Sequence, residues 1–206
     1  MEQAKRKELT RLSIQQAAIL LFSQKSFDQV TVDAIAQNAR CSKRTLYMYY
    51  PSKMALISSI FEERLQELYT TQVRSFVTCT TGLDVIICSF KNLCQFTEKN
   101  LDFMKMFWFV KDKHPVNMPD ELLERINGWN RMILDLTATA IKQKELTGPW
   151  AERSPYLIAH YISALNKGIF IHQNKESDLN VMDVDTQALI DFSISNIIYC
   201  AKPPEG

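Results

Sequence analysis

The amino-acid sequence predicts an all-α fold of about nine helices. Glycine and proline are absent before Pro51 and sparse after it, apolar residues recur three and four apart along most of the chain, and no segment alternates apolar and polar residues cleanly enough for a strand. The 206 residues are 46% hydrophobic, ample for a packed core.

The elements follow in order. Ile14, Ala17, Ala18, Leu21 and Phe22 share one face of a first helix over Arg11 to Gln24. Thr31 is placed to cap a short amphipathic helix built on Val32, Ile35, Ala36 and Ala39, a tight turn follows at Arg40-Cys41, and Ser42 caps a second short helix that Pro51 ends. From Pro51 an unbroken helical pattern runs to about Thr78, with Ile57, Ile60, Phe61, Leu65, Leu68 and Tyr69 on its apolar side. That is a rod of roughly 40 Å. The same period marks Leu83, Ile86, Ile87, Phe90 and Cys94, then Leu122, Ile126, Trp129, Ile133 and Ala140, the latter after a start signal at Asn117 to Glu121. Ser154-Pro155 opens a helix near 154–174, and a last one lies near 185–200. Both are apolar on more than one face, so each is expected to be buried on two sides. A second copy of the chain is the simplest cover for the outer side, giving a homodimer; the alternative is that both helices are central in one chain.

Charge divides the chain. Net charge is +1 overall, but residues 1–54 carry nine cations and four anions while residues 55–206 carry fifteen and nineteen. A basic head on a mildly acidic body marks the head as the part that meets a polyanion, so residues 1–54 and 55–206 are expected to be separate domains. Within the head, Ser42 to Lys53 hold three cations and three tyrosines without a carboxylate. The two short helices and their turn make a helix-turn-helix unit, with Phe22, Phe27, Ile35, Leu46 and Tyr50 as its expected core. Lys43 and Arg44 stand in the first turn of its second helix, where the dipole makes cations locally unfavourable. DNA phosphates relieve that conflict, and a helix entering the major groove by this end brings Lys43, Arg44 and Thr45 to base edges. Tyr47 and Tyr49 are available for phosphates, sugars or a thymine methyl, and Lys53 adds a further phosphate-facing group.

The segment LFSQKSFDQVTVDAIAQNARCSKRTLYMYYPSKMAL resembles the N-terminal DNA-binding domain of the TetR family of transcriptional regulators over residues 9–56. The family pattern is Phe, a loop, Thr-x-x-x-Ile-Ala, then Ser-Lys-x-Thr-Leu-Tyr-x-Tyr-Phe-x-Ser-Lys-x-x-Leu. The resemblance implies DNA contacts from Thr31, Ser42, Lys43, Thr45, Tyr47, Tyr49 and Lys53. It also implies a homodimeric repressor on a palindromic double-stranded operator, released when an effector changes the spacing of the two readers. Three departures stand where the family usually has glycine: Ser26, Arg40 and Arg44. A left-handed backbone at Ser26 or Arg40 would cost roughly 1–2 kcal/mol each; Arg40 either accepts that strain because its charge reaches a phosphate, or its turn differs in detail. Arg44, a long bidentate donor, is expected to read a guanine.

The body carries large, adaptable side chains, most densely in LDFMKMFWFVKDKHP. Phe61, Phe103, Met104, Phe107 and Trp108, with Trp129, His160 and Tyr161, are candidates to line a pocket for a small lipophilic or aromatic effector; ordinary core packing is the alternative for each. A second reading keeps the fold but makes the protein a DNA-bound adaptor or activator that recruits a protein partner without an effector. Five cysteines show no ligand spacing, and three scattered histidines make no metal site, so neither metal nor cofactor is expected. No Gly-rich phosphate loop, GxSxG or HExxH occurs, which argues against an enzyme. The apolar run Ala17 to Phe22 is short for a signal peptide and Lys167 interrupts Ser154 to Asn174, so no membrane association is expected and the chain reads as cytoplasmic.

Overall fold

The computed structural model describes residues 2–113, 120, 124, 127–128, 131–132, 134–135, 138–139, 143, 146, 148–150, 152–174 and 185–201. Among them are eight helices and no strand: α1 Glu2–Gln24, α2 Val32–Asn38, α3 Lys43–Tyr49, α4 Lys53–Phe76, α5 Gly82–Lys99, α6 Leu101–Lys113, α7 Pro155–Gln173 and α8 Thr186–Ala201. Helical residues recur between 120 and 139. The chain is thus all-α, with the boundaries of α2, α3 and α7 where capping residues and prolines put them and α8 close to the range expected for it. The first helix differs: it starts at Glu2, nine residues before the expected start at Arg11.

The fold consists of two compact units, one of residues 1–66 and 102–123, the other of residues 67–101 and 124–206. In the first, α1 turns Ile14, Ala17, Ala18 and Phe22 inward, where Ile35, Ala36, Leu46, Leu56, Ile57 and Ile60 are also buried. A polar clasp joins α1 to α4: Gln15 Nε2 donates to Glu63 Oε1 at 2.9 Å, and Arg11 pairs with both Glu63 and Glu8. The Arg11 guanidinium is held charged, chiefly by Glu8, against an opposing effect of burial, with Glu63 adding to the hold of Glu8.

In the second unit α5, α7 and α8 pack on a core of Leu83, Ile86, Phe90, Cys94, Ile158, Ile162, Ile169, Ile190, Ile194 and Ile197. Fully burying each aliphatic side chain stabilises by about 1.5–3 kcal/mol before conformational entropy is set against it. Leu146 and Trp150 close one side, where the Gly148 and Trp150 amides donate to the carbonyls of Ala201 and Cys200 at 3.0 Å. The second half of α4 is fastened to α5 by polar contacts: buried Gln72 donates to the Ser89 carbonyl at 3.1 Å, and Asn92 Nδ2 donates to Ser75 Oγ at 2.6 Å. A capping box starts α5, with Thr81 Oγ1 accepting from the Asp84 amide while the Asp84 carboxylate accepts from Thr81 N.

Helices α7 and α8 each carry a second apolar side. Tyr156, Leu157 and Tyr161 on α7 are exposed, as are Phe192, Ile198 and Tyr199 on α8. Among the described residues no helix is long and apolar enough to cross a membrane.

Candidate nucleic-acid interface

The two short helices are built by side chains that close their own first turns. Thr31 accepts from the Ala34 amide at 3.1 Å to start α2, and Ser42 accepts from the Thr45 amide at 3.0 Å to start α3. Ser42 Oγ also lies 2.7 Å from Thr45 Oγ1, which steadies both hydroxyls on one exposed turn. Helix α3 ends where Pro51 forces it to: Tyr50 is extended at φ −138°, ψ 113°, as the residue before a proline must tend to be.

Between the helices Arg40 has φ 54°, the one non-glycine residue with positive φ among those described. The hydrogen bonds say why. The Arg40 amide donates to the Gln37 carbonyl at 3.1 Å and the Cys41 amide to the Ala36 carbonyl at 2.9 Å, the paired bonds that close a helix with a left-handed residue after its cap. Glycine is the usual occupant there because a Cβ is strained. Ser26 does not share the feature. Its carbonyl accepts from the Gln29 and Val30 amides, a turn with an ordinary backbone, so the strain considered for Ser26 does not arise.

The two helices lock onto α1 through a small core. Leu46 and Ile35 are fully buried, Tyr50 nearly so, and Phe22 stacks on half-buried Phe27 with ring centroids 6.0 Å apart. What α3 turns outward is Lys43, Arg44, Tyr47 and Met48, with Thr45 half-buried. The Arg44 guanidinium makes no ion pair or hydrogen bond among the described residues, and neither does that of Arg40. Met48 is 78% exposed, in line with Arg44 one turn earlier. Sequence reasoning missed Met48, because nothing in its neighbourhood distinguishes a methionine turned out from one turned in.

Three expected contacts have structural employment already. Lys43 Nζ pairs with Asp33 Oδ2 at 2.8 Å, both ends well exposed, and the carboxylate holds the ammonium pKa above its ordinary value. The conflict between Lys43 and the helix dipole is therefore met in part from inside the unit. Lys53 turns inward, donating to the Phe27 and Val30 carbonyls at 2.6 and 2.8 Å with its ammonium 4.1 Å from the Phe27 ring centre. Burial pushes its pKa below the usual lysine range, partly opposed by Asp28. Lys53 thus clasps the loop between α1 and α2. Tyr49 Oη donates to the Lys7 carbonyl at 3.1 Å.

The residues expected to line a pocket fall in both units. Phe61, Phe103 and Phe107 form an aromatic cluster, Phe61 lying 5.5 and 5.6 Å from the other two, and Trp108 meets Phe107 edge to face at 5.3 Å. Phe61, Phe103 and Met104 are buried, Phe107 and Trp108 half-buried. His160 and Tyr161 belong to the other unit and are exposed on α7; Tyr161 packs edge to face on Trp150 at 5.8 Å. The placing of Trp129 lies outside the described residues.

With α3 exposed and both short helices held against α1, this part of the chain has the arrangement of a helix-turn-helix unit. Residues 14–60 match the model of bacterial regulatory proteins of the tetR family, and this region of the chain belongs to that family. The uncharacterized HTH-type transcriptional regulator YdeS of Bacillus subtilis strain 168 is 45% identical over 83 residues, which are 38% of this chain and 42% of YdeS. The chain spans less than half the length of the curated relatives it matches. The fold extends further. A Clostridium perfringens protein described as a candidate regulator of fatty acid metabolism superposes with TM-score 0.73 at 21% identity, covering 94% of this chain and 99% of its own. The ketosteroid transcriptional regulator KstR2 of Mycobacterium tuberculosis does so with TM-score 0.73 at 14% identity, covering 91% and 92%.

Proposed function

We propose that this chain is a ligand-responsive, DNA-binding transcriptional repressor acting as a homodimer on a palindromic operator. Residues 1–54 serve as the DNA reader and residues 55–206 as the ligand-binding and dimerisation domain. The observation that carries the reading is the outer face of α3, where Arg44, Tyr47 and Met48 stand exposed beside the Ser42–Thr45 hydroxyl pair. Arg44 matches the two acceptors on a guanine edge, and Ser42, Thr45, Tyr47, Thr31 and Arg40 hold the register through phosphates. Met48 suits a thymine methyl. Lys43, already paired with exposed Asp33, exchanges that partner for phosphate at little cost, since exposed ion pairs contribute no more than about 1 kcal/mol.

The second apolar sides of α7 and α8 support dimerisation, with Tyr156, Leu157, Phe192 and Tyr199 meeting their counterparts in a second copy. The aromatic cluster of Phe61, Phe103, Phe107 and Trp108 supports a lipophilic effector, and α4, which supplies Phe61 and directly follows the reader, is the element such a ligand would move. By linkage, a ligand that weakens DNA binding is itself weakened by DNA to the same factor. The test is thermal shift with lipophilic compounds, followed by duplex binding with each hit. A compound that raises the melting temperature and releases DNA supports the repressor. Stabilisation by duplex alone favours the adaptor reading.

A further inference from the structure

Helix α1 begins well before its apolar period, and the added turns carry Lys5, Arg6 and Lys7 in succession, all exposed. None of the three side chains makes an ion pair or hydrogen bond among the described residues. The nearby ionic groups are otherwise committed: Glu8 is held by Arg11, which lowers its pKa, and Arg11 is drawn on to Glu63. Glu2 is the one other acid among the first twelve residues. This leaves a patch of three uncommitted cations whose place is set by a contact from far along the chain. Tyr49, the last residue of α3, donates to the Lys7 carbonyl at 3.1 Å. The patch therefore abuts the far end of the helix that carries Arg44. Five residues separate Arg44 from Tyr49, about 7.5 Å along the axis. A major groove is about 12 Å wide, so a group one to two turns beyond a side chain in its floor lies at the phosphates of its border. Successive helical side chains are about 100° apart, so the three fan across roughly half the circumference and present cations to a bordering strand over a wide range of tilts.

We infer that Lys5, Arg6 and Lys7 extend the DNA interface onto backbone phosphates flanking the bases that α3 reads. The inference rests on the proposed function and adds a second surface to it. Phosphate contacts carry no sequence information, whereas each one releases counterions and steepens the dependence of binding on salt.

The test measures affinity by fluorescence anisotropy over a range of salt concentrations, for the full chain and for Lys5→Ala/Arg6→Ala/Lys7→Ala. Each protein is titrated with a duplex selected from a random library and with a scrambled duplex of the same composition. Circular dichroism confirms that α1 remains helical. The salt slope is expected to fall by about 0.9 for each phosphate that is no longer neutralised, in each protomer bound. Affinity for both duplexes should fall by the same factor, leaving their ratio unchanged, and Lys5→Arg/Arg6→Lys/Lys7→Arg should restore it. An unchanged slope with selected-duplex binding intact overturns the inference and leaves the proposed function standing. A fall confined to the selected duplex also overturns it, because the patch would then act by positioning α3. Absence of duplex binding by the unaltered chain sinks both.

Discussion

Replacing Arg40 by glycine tests how local strain is linked to function. The paired bonds from the Arg40 and Cys41 amides require a left-handed residue after α2, and Arg40 supplies it at φ 54°. That conformation costs a residue bearing a Cβ roughly 1–2 kcal/mol. Glycine removes the cost but frees the unfolded chain, which returns about 0.4–1 kcal/mol to the unfolded side. Net stabilisation of about 0.5–1 kcal/mol should remain, a rise in melting temperature of about 1–4 °C for a chain of this length. DNA binding should move the other way. With one phosphate fewer neutralised by each protomer, the salt slope falls by about 0.9 per protomer. Arg40→Ala separates the two effects, because alanine keeps the strain and lacks the charge: it should bind DNA as weakly as the glycine variant without the gain in stability. Thermal unfolding and salt-dependent anisotropy on the three proteins complete the comparison. A glycine variant that melts lower refutes the strain argument; one that melts higher yet keeps its salt slope refutes the role of Arg40 at the duplex.

Other consequences follow from particular side chains. Arg44→Ala should cost about 1–3 kcal/mol on the preferred operator and flatten discrimination at one base pair; equal weakening on every operator variant would make Arg44 a phosphate contact. Asp84→Asn should cost about 1 kcal/mol at neutral pH by weakening the cap of α5. Hydrogen bonds from Thr80, then Thr81, hold the Asp84 pKa below its ordinary 3.8. Its contribution is therefore fully present above that value and lost as pH falls through the lower folded pKa, so urea melts of variant and parent should converge in strong acid. Cys94 is buried, with its thiol pKa pushed up to about 11, mainly by burial against a smaller lowering by Asn166. A thiol reagent at mildly alkaline pH should leave it unmodified in the folded chain and reach all five cysteines in denaturant; rapid native labelling of Cys94 would contradict its packing.

The caps, the turn and the small core around Leu46 were legible in the sequence because they obey short-range chemistry. A hydroxyl three residues before a free amide closes a helix, and a proline ends one. Less legible was everything decided by a partner distant along the chain. Lys43 and Lys53 look alike as cations beside the reading helix, yet Asp33 takes one at the surface while two carbonyls and the Phe27 ring draw the other inward. The outward face of Met48 is equally hidden, since an apolar side chain in an amphipathic pattern reads as core. The early start of α1 escaped because Lys5 to Glu8 are charged and add nothing to an apolar period. The aromatic residues near 103–108 were recognisable as too dense for one stripe, but His160 and Tyr161 could be assigned to a face only once Trp150 was seen to claim one side of Tyr161.

The most direct measurement is selection of duplexes from a random-sequence library by the purified chain, with the mass of the selected complex determined in solution. The account predicts enrichment of a two-fold symmetric site, a guanine in each half, half-site centres about 34–36 Å apart along the duplex, and two copies of the chain bound. A chain that stays single and enriches no sequence at low salt would contradict it.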